Sequence, residues 1–523
     1  MSFSARVLLA LLTIVVLAMA AGLWSRWAGR KVASSHWRGR RLRSPGEAAA
    51  ALQRRRTSSD PGLQVGQYRL PSDSAYSHLA YVGATGSGKT LLQRLLMQSV
   101  LPLIGRGYGH RALVYDAKQD VLSVLAGMRL HCPIRTLNPL DARAVGWDMA
   151  ADIRSPAAAL QVAAILIPDA KTDNNPFFAN AARHLLGGAL NALIQHAGPV
   201  WTFRQVLHIL RDPSKLRLLL HRCDHTRFLL QYFEHPGTFQ NILSTVLTHL
   251  APFEVIAAAW DRAEELISLK NWTQEESILV LGNDEANRAA LEAMNRLIFR
   301  RISELVLSGD ELVPAEPLAP RTWFFLDEVR EAGKLESLSR LLTKGRSKGV
   351  AVVLGFQDVA GLQDVYGKEV ANELVGQCSS TIILRLNSSE TAAWASRLLG
   401  TREVLESRRG QTRNYQAALR SLTGTGDSVS HGVAARSLVL DSEIMDLPET
   451  SFETGLTGYV VTPWTGAFQE HLDGGWLKEH LLAPAAAVPN FVPCPDDRQY
   501  LRPWSAEDGR LLGMTEAEVT VWN

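Results

Sequence analysis

The chain has 523 residues, enough for two or three domains, and its 46% hydrophobic and 20% charged composition is ordinary for a globular α/β protein. The net charge is only +3, which excludes a global basic field, so any binding of nucleic acid must rest on local patches. The cysteines are widely separated and form no CxxC pair. This spacing argues against a disulfide scaffold or a zinc site and fits a reducing compartment.

The N-terminal residues 7–24 form an apolar run that, as a helix, spans about 27 Å, which matches the hydrocarbon core of a bilayer. Arg6 precedes the run and a basic cluster between Arg26 and Arg43 follows it, which predicts that the rest of the chain is cytoplasmic. The alternative is a cleaved signal peptide, which the basic cluster opposes. We expect residues 1–33 to be a single-pass anchor, whose basic tract either touches anionic lipid or only enforces orientation.

Residues 34–73 are rich in arginine, serine and glycine, and we interpret them as a basic linker with a short strand at residues 63–70. The next segment, residues 81–90, reads YVGATGSGKT and has the pattern G-x-x-x-x-G-K-[ST] between a predicted strand and a helix that begins at Lys89. Such a loop points its N–H groups at phosphate oxygens, while Lys89 reaches the β- and γ-phosphates and Thr90 ligates Mg²⁺. The sequence therefore predicts an ATP site formed by Gly83, Ala84, Thr85, Gly86, Ser87, Gly88, Lys89 and Thr90.

After this loop, strands alternate with helices, which predicts a mostly parallel sheet in a first nucleotide-binding part at residues 74–200. A strand at residues 111–116 ends in Asp116, followed by Lys118. Asp116 either contacts the Mg²⁺ shell at the carboxyl edge of the sheet or caps the end of the strand.

Residues 201–272 have almost only helical periodicity, which predicts an inserted all-α domain. Basic and aromatic side chains are frequent here, and they either grip a phosphate backbone and stack bases or are solvated helix faces. This set comprises Arg204, Arg211, Lys215, Arg217, Arg222, Arg227, Phe228 and Tyr232.

The second nucleotide-binding part, residues 273–482, contains an apolar strand that ends in Asp327 and Glu328. We expect Asp327 to hold Mg²⁺ and Glu328 to polarise the attacking water. The next predicted strand ends at Gln357, a candidate γ-phosphate sensor, and Arg346 precedes that strand as a candidate arginine finger. Ordinary structural roles for Gln357 and Arg346 remain the alternative. Residues 402–430 are expected to be a mobile loop, and residues 483–523 a loosely ordered tail.

Together these motifs resemble the type IV secretion coupling proteins of the TraG/TraD and VirD type, ring-forming ATPases of bacterial conjugation. The matching stretches are HLAYVGATGSGKT, ALVYDAKQDVLSVL, TLNPLDARAVGWD, FFANAARHLLGGALNAL, FFLDEVRE, LTKGRSKGVAVVLGFQD and TAAWASRLLG. They cover roughly residues 75–460. By position, the resemblance assigns the phosphate-loop lysine to Lys89, the acidic pair to Asp327 and Glu328, the finger to Arg346 and the sensor to Gln357.

The resemblance implies a RecA-like α/β fold with the all-α insertion and the transmembrane helix. It also implies a homo-hexamer in the inner membrane that binds ATP and Mg²⁺, a relaxase, single-stranded DNA and components of the secretion channel. The chain departs from many members in showing one membrane span and a short C-terminus. Three other hypotheses remain: a coupling protein for protein effectors, a receptor that uses ATP only to assemble, and a chromosome-partition DNA pump.

Overall fold

The computed structural model describes residues 34–168, 176–312, 316–413 and 425–522, so the predicted transmembrane helix lies outside the described residues. Within these ranges the strands are β1 (Ser34–Gly39), β2 (Leu42–Arg43), β3 (Leu63–Val65), β4 (Tyr68–Leu70), β5 (Leu79–Val82), β6 (Arg111–Asp116), β7 (Ile134–Thr136), β8 (Gly146–Trp147), β9 (Leu266–Ile267), β10 (Ile278–Gly282), β11 (Thr322–Leu326), β12 (Val350–Phe356), β13 (Ser380–Ile383), β14 (Thr401–Arg413), β15 (Thr425–Ser437), β16 (Leu456–Thr462) and β17 (Gly466–Leu472).

The α-helices of the same ranges are Pro45–Arg55, Lys89–Val100, Val121–Gly127, Met149–Asp152, Pro156–Leu166, Phe177–His196, Phe203–Arg211, Pro213–Arg222, Pro236–Leu250, Glu254–Asp261, Leu269–Trp272, Arg288–Leu307, Leu338–Lys344, Val359–Tyr366, Lys368–Gly376, Ser389–Leu399, Asp441–Met445, Gly474–His480, Ala506–Leu511 and Glu516–Trp522.

A ten-stranded sheet forms the centre of the described chain, in the order β2-β17-β16-β13-β5-β12-β11-β6-β10-β7. The strands from β13 to β7 are parallel, and β16 pairs antiparallel with β13 and β17. Both faces are buried: in β11, Phe324 and Leu326 belong to one hydrophobic cluster, and Trp323 and Phe325 to the other. Burial on both faces explains why these strands are continuously apolar. The predicted α/β fold with a mostly parallel sheet is confirmed.

The order of the sheet assembles the candidate site. β5, β12, β11 and β6 are adjacent and parallel, so their carboxyl ends lie at one edge. The phosphate loop follows β5, Asp327 and Glu328 follow β11, and Gln357 follows β12. Residues that are far apart in the sequence are therefore brought to the same edge.

The helical insertion begins well before residue 201, where the sequence places its boundary. β8 and β9 pair in parallel and bring the two ends of the insertion together. The helices Pro156–Leu166 and Phe177–His196 pack against each other, and the second also packs against Phe203–Arg211 and Pro236–Leu250. The boundary was misplaced because helical periodicity shows which face of a helix is buried, but not which element covers it.

Among the described residues, the segment Pro236–Asp261 is long and apolar enough to cross a membrane by length and composition. Its side chains Ile242, Val246 and Leu250 are buried in the same hydrophobic cluster as the other helices of the insertion. We therefore assign this segment to the core of the insertion.

Residues 34–73 are folded, and the prediction of a linker is wrong for them. β1 pairs with β14, and β2 joins the edge of the central sheet beside β17. The helix Pro45–Arg55 begins with a capping box in which Ser44 accepts from the Glu47 N–H and the Glu47 carboxylate accepts from the Ser44 N–H. β3 and β4 form a hairpin where a single strand was expected.

Two further predictions are wrong for the described residues. The expected loop at residues 402–430 contains the paired strands β14 and β15, which form a long antiparallel hairpin. The expected loose tail is an ordered C-terminal segment, which we define as residues 483–522. Its backbone bonds the nucleotide-binding part, with Ala485 N 2.8 Å from Ser123 O and Cys494 N 2.9 Å from Leu140 O. The sequence did not predict this order, because backbone hydrogen bonds do not require particular side chains and the segment is rich in Ala and Pro.

Candidate active site

The phosphate loop connects β5 to the helix Lys89–Val100, as predicted. Gly86 and Gly88 have φ angles of 78° and 91°, which side chains rarely tolerate. The Ser87 N–H donates to Ala84 O at 3.1 Å and closes the turn. Thr450 supports the loop from outside, since its N–H donates to Gly86 O at 3.3 Å and its Oγ1 to Ser87 O at 2.7 Å. Sequence reasoning did not identify Thr450, because nothing local links it to the loop.

Lys89 and Glu328 form a buried ion pair, with the Nζ–Oε1 distance at 2.7 Å and side-chain exposures of 5% and 8%. Glu328 has φ 56° and ψ 58°, a left-handed conformation that costs about 1 kcal/mol or more for a residue with a side chain. Such strain at the end of a strand is common at functional sites. Burial alone would raise the pKa of Glu328, but Lys89, Gln357 and Lys118 outweigh it and lower that pKa.

Asp327 lies beside Thr90, with Thr90 Oγ1 3.2 Å from Asp327 Oδ2. Its other oxygen, Oδ1, is buried without a hydrogen-bond partner among the described residues. A carboxylate oxygen that lacks a partner, next to a hydroxyl, fits the oxygen ligands that Mg²⁺ prefers. Burial raises the pKa of Asp327, while Lys89 and Lys118 oppose that increase. Asp327 and Thr90 are thus the side chains that would hold Mg²⁺.

Gln357 lies between the acidic pair and the phosphate loop. Its Nε2 donates to Glu328 Oε1 at 3.0 Å, and its Oε1 accepts from Thr85 Oγ1 at 3.3 Å. One amide therefore contacts both the loop expected to surround the phosphates and the residue expected to polarise water. This position suits the γ-phosphate sensor predicted from the sequence.

A second lysine, Lys118, reaches the acidic pair, and no role in the site was predicted for it. Its Nζ lies 3.8 Å from Asp327 Oδ2 and 3.6 Å from Glu328 Oε1. Its position in the sequence, just after the end of β6, is the signal that would have placed it at this edge of the sheet.

The hydrogen bonds of Asp116 favour the structural interpretation of this residue. Its Oδ1 accepts from the Asp120 N–H at 3.1 Å and its Oδ2 from the Val121 N–H at 3.2 Å. Both oxygens are thus engaged at the start of the helix Val121–Gly127. Burial raises the pKa of Asp116 to about 6, although the two hydrogen bonds act to lower that pKa.

Arg346 is exposed and lies away from the nucleotide edge of its own chain. It precedes β12, whereas Gln357 follows β12, and a strand of 7 residues separates the two ends. At the usual rise per residue this strand is about 23 Å long. Arg346 therefore lies away from the phosphate loop of its own chain, and its role as an arginine finger stays a prediction.

Several basic side chains of the insertion have structural partners. Arg204 is buried and pairs with Asp261 at 2.9 Å and with Asp508 of the C-terminal segment. Arg211 pairs with Glu254, and Lys215 with Asp212. These contacts favour the structural interpretation for the paired residues, so the basic character of this sequence does not by itself mark a DNA-binding face.

The sheet, the phosphate loop and the acidic pair together define a P-loop nucleotide-binding protein with a helical insertion. The sequence model of the type IV secretion-system coupling protein DNA-binding domain matches residues 63–464, and the chain belongs to this family.

Individual relatives agree with this assignment. The coupling protein TraD of Escherichia coli (strain K12) is 24% identical over 430 residues, which cover 80% of this chain and 55% of TraD. The chain thus spans about half the length of this curated relative.

Solved structures of the conjugative coupling protein TrwB share the fold. The unbound form has a TM-score of 0.65 at 24% identity, and the match covers 89% of this chain and 97% of the TrwB chain. TrwB in complex with ADP and Mg²⁺ has a TM-score of 0.63 at 23% identity, with coverage of 89% and 99%.

Proposed function

We propose that this protein is an inner-membrane coupling ATPase that uses ATP hydrolysis to move single-stranded DNA into a type IV secretion channel. The observation that carries the proposal is the cluster of Lys89, Thr90, Asp327, Glu328 and Gln357, which follow three different strands and meet at one edge of the sheet. The family description names a DNA-binding domain, which favours DNA over a protein effector as the transported molecule.

Each residue has a defined task in this proposal. The loop N–H groups and Lys89 bind the phosphates, and Thr90 and Asp327 hold Mg²⁺, which neutralises phosphate charge when it is bound. When nucleotide binds, Lys89 turns from the Glu328 carboxylate to the phosphate oxygens. Glu328 is then free to accept the proton of the attacking water. Gln357 orients that water, and Arg346 of a neighbouring subunit stabilises the transition state in a hexamer.

The remaining partners follow from the same proposal. Residues 1–33 anchor the chain in the inner membrane, and a relaxase attached to the DNA delivers the strand to the ring. Hydrolysis moves the elements that line the central channel and so displaces the DNA. Support for these steps comes from family membership and from the expectation of a membrane span.

The test uses the full-length protein in detergent and measures nucleotide binding and DNA-stimulated hydrolysis separately. Lys89→Ala should abolish both, whereas Glu328→Gln should retain binding and lose at least about a hundredfold in hydrolysis rate. Asp310→Asn, an acidic residue outside the site, is the matched control and should behave as the wild type. If hydrolysis persists in both site variants, the assignment of the site is wrong.

A further inference from the structure

Lys118 gives the acidic pair a second positive charge. Lys89 is buried against Glu328, whereas the Lys118 side chain is 47% exposed and lies within 4 Å of one oxygen from each acid. The two lysines thus place two positive charges beside the two carboxylates of the site.

The backbone that carries Lys118 is held by hydrogen bonds, whereas its side chain is 47% exposed. Asp116 accepts hydrogen bonds from the Asp120 and Val121 N–H groups, and Gln119 Nε2 donates to Asn283 O at 2.6 Å. Gln119 also has a φ of 54°, so the chain turns sharply here. A long, half-exposed lysine on a fixed turn can move between the carboxylates and the solvent while the loop stays in place.

The position of Lys118 conflicts with a divalent cation at Asp327. The oxygens that suit Mg²⁺ are those of Asp327 and Thr90, and the Lys118 ammonium lies 3.8 Å from one of them, Asp327 Oδ2. A cation bound to that oxygen would lie close to the Lys118 ammonium, and like charges at close range repel each other. Lys118 and Mg²⁺ therefore compete for the same negative charge.

On the basis of the proposed function, we propose that Lys118 is the countercharge that the acidic pair has before the magnesium–nucleotide complex binds. It leaves the acidic pair when the magnesium–nucleotide complex binds, and it thereby sets the magnesium concentration that tight nucleotide binding requires. Lys118 is a positioning residue in this scheme, because it acts on the carboxylates and not on the nucleotide.

The experiment measures the binding of a fluorescent ADP analogue to the full-length protein at increasing Mg²⁺ concentration. Lys118→Met should lower the Mg²⁺ concentration for half-maximal binding by about tenfold, a size typical of coupling between neighbouring ligands. Binding in EDTA should not change. The melting temperature in EDTA should fall, because the carboxylates lose a countercharge, and added Mg²⁺ should restore it.

Two controls define the result. Lys118→Arg keeps the charge and should keep the magnesium dependence of the wild type. Lys368→Met removes an exposed lysine at the start of the helix Lys368–Gly376 and should change neither readout.

Two outcomes would overturn the inference. An unchanged magnesium dependence in Lys118→Met shows that no competition exists, and weaker binding in EDTA shows that Lys118 contacts the phosphates instead. Failure of the proposed function is a separate result, since Lys89→Ala would then bind the ADP analogue as well as the wild type does.

Discussion

Gln357 and Lys89 share one acceptor atom: Gln357 Nε2 lies 3.0 Å from Glu328 Oε1, and Lys89 Nζ lies 2.7 Å from the same oxygen. A phosphate group that attracts Lys89 would therefore remove one of the two donors to this oxygen. Gln357 would remain as the other donor to Glu328. This connection leads to the first prediction.

Replacing Gln357 with alanine should reduce the rate of hydrolysis by about a hundredfold and leave nucleotide affinity within about twofold. The amide is expected to position the water and not to bind the phosphates. Measurement of kcat and of nucleotide Kd separates these effects. Gln363→Ala, a partly buried glutamine on the helix Val359–Tyr366, is the control. A loss confined to affinity would contradict the sensor role.

Arg346→Ala should bind nucleotide normally and lose about a thousandfold in hydrolysis rate, as expected for an arginine finger supplied by a neighbour. Because Arg346 and the phosphate loop of one chain lie at opposite ends of β12, mixing Arg346→Ala with Lys89→Ala should recover part of the activity. In the mixed ring, an Arg346→Ala subunit still has Lys89, and a neighbouring Lys89→Ala subunit still supplies Arg346, so the site between them is complete. Lys344→Ala, which removes an exposed positive charge two residues before Arg346, is the control and should hydrolyse ATP as the wild type does. Recovery would fail if Arg346 served its own chain.

Asp508→Ala should destabilise the protein by about 3 kcal/mol, because it leaves Arg204 with one carboxylate fewer in a buried site. The Arg204 and Asp508 side chains are 7% and 4% exposed. Chemical denaturation measures the change, and Glu507→Ala, an exposed acid on the same helix, should cost less than about 0.5 kcal/mol. Equal effects of the two substitutions would show that the buried cluster contributes nothing specific.

Glu470 should make stability depend on pH. Burial raises the pKa of its carboxyl to about 8, against a hydrogen bond from the Gln67 N–H at 2.7 Å. The folded chain thus holds this proton when the unfolded chain has released it, so stability is greatest below the unfolded pKa and falls as pH rises through about 8. The nearby Tyr68 and Tyr81 have raised pKa values and stay neutral across this range.

The test compares Glu470→Gln with the wild type by thermal unfolding. The amide keeps an acceptor for the Gln67 N–H and cannot ionise, so the variant should be the more stable protein at pH 8 and similar to the wild type at pH 5. Gln469→Glu, which adds an acid at an exposed neighbouring position, is the control. A pH-independent difference between variant and wild type would contradict the prediction.

The meeting of the site residues at one edge of the sheet was predictable because the signals in the sequence are local. The phosphate loop is a contiguous pattern, and Asp327, Glu328 and Gln357 each end an apolar strand. Parallel strands bring such ends to one edge, so the sequence contains both the residues and the reason that they meet. Thr450 was not identified because its contact with the loop depends on the fold, whereas Lys118 follows the end of β6 and could have been placed at this edge by the same argument.

The errors have a common physical cause, since the missed elements are ordered by distant partners. The C-terminal segment is held by backbone hydrogen bonds to residues that precede it by hundreds of positions. β14 and β15 are polar and give no alternation of apolar residues, which removes the usual signal of a strand. In residues 34–73, by contrast, Ser44 and Glu47 formed a readable capping box that the composition obscured.

The C-terminal segment gives the nucleotide switch an external mechanical connection. Just before this segment, the chain lies against the helix that carries Lys89, where Arg94 donates to Leu482 O at 3.0 Å and Gln98 to His480 O at 2.9 Å. The segment ends against the helical insertion, where Arg502 and Asp508 meet Asp261 and Arg204. Because Leu512, Met514 and Val519 of this segment are buried in the same hydrophobic cluster as the insertion, a probe attached to the segment should respond to movement of the phosphate-loop helix and of the insertion.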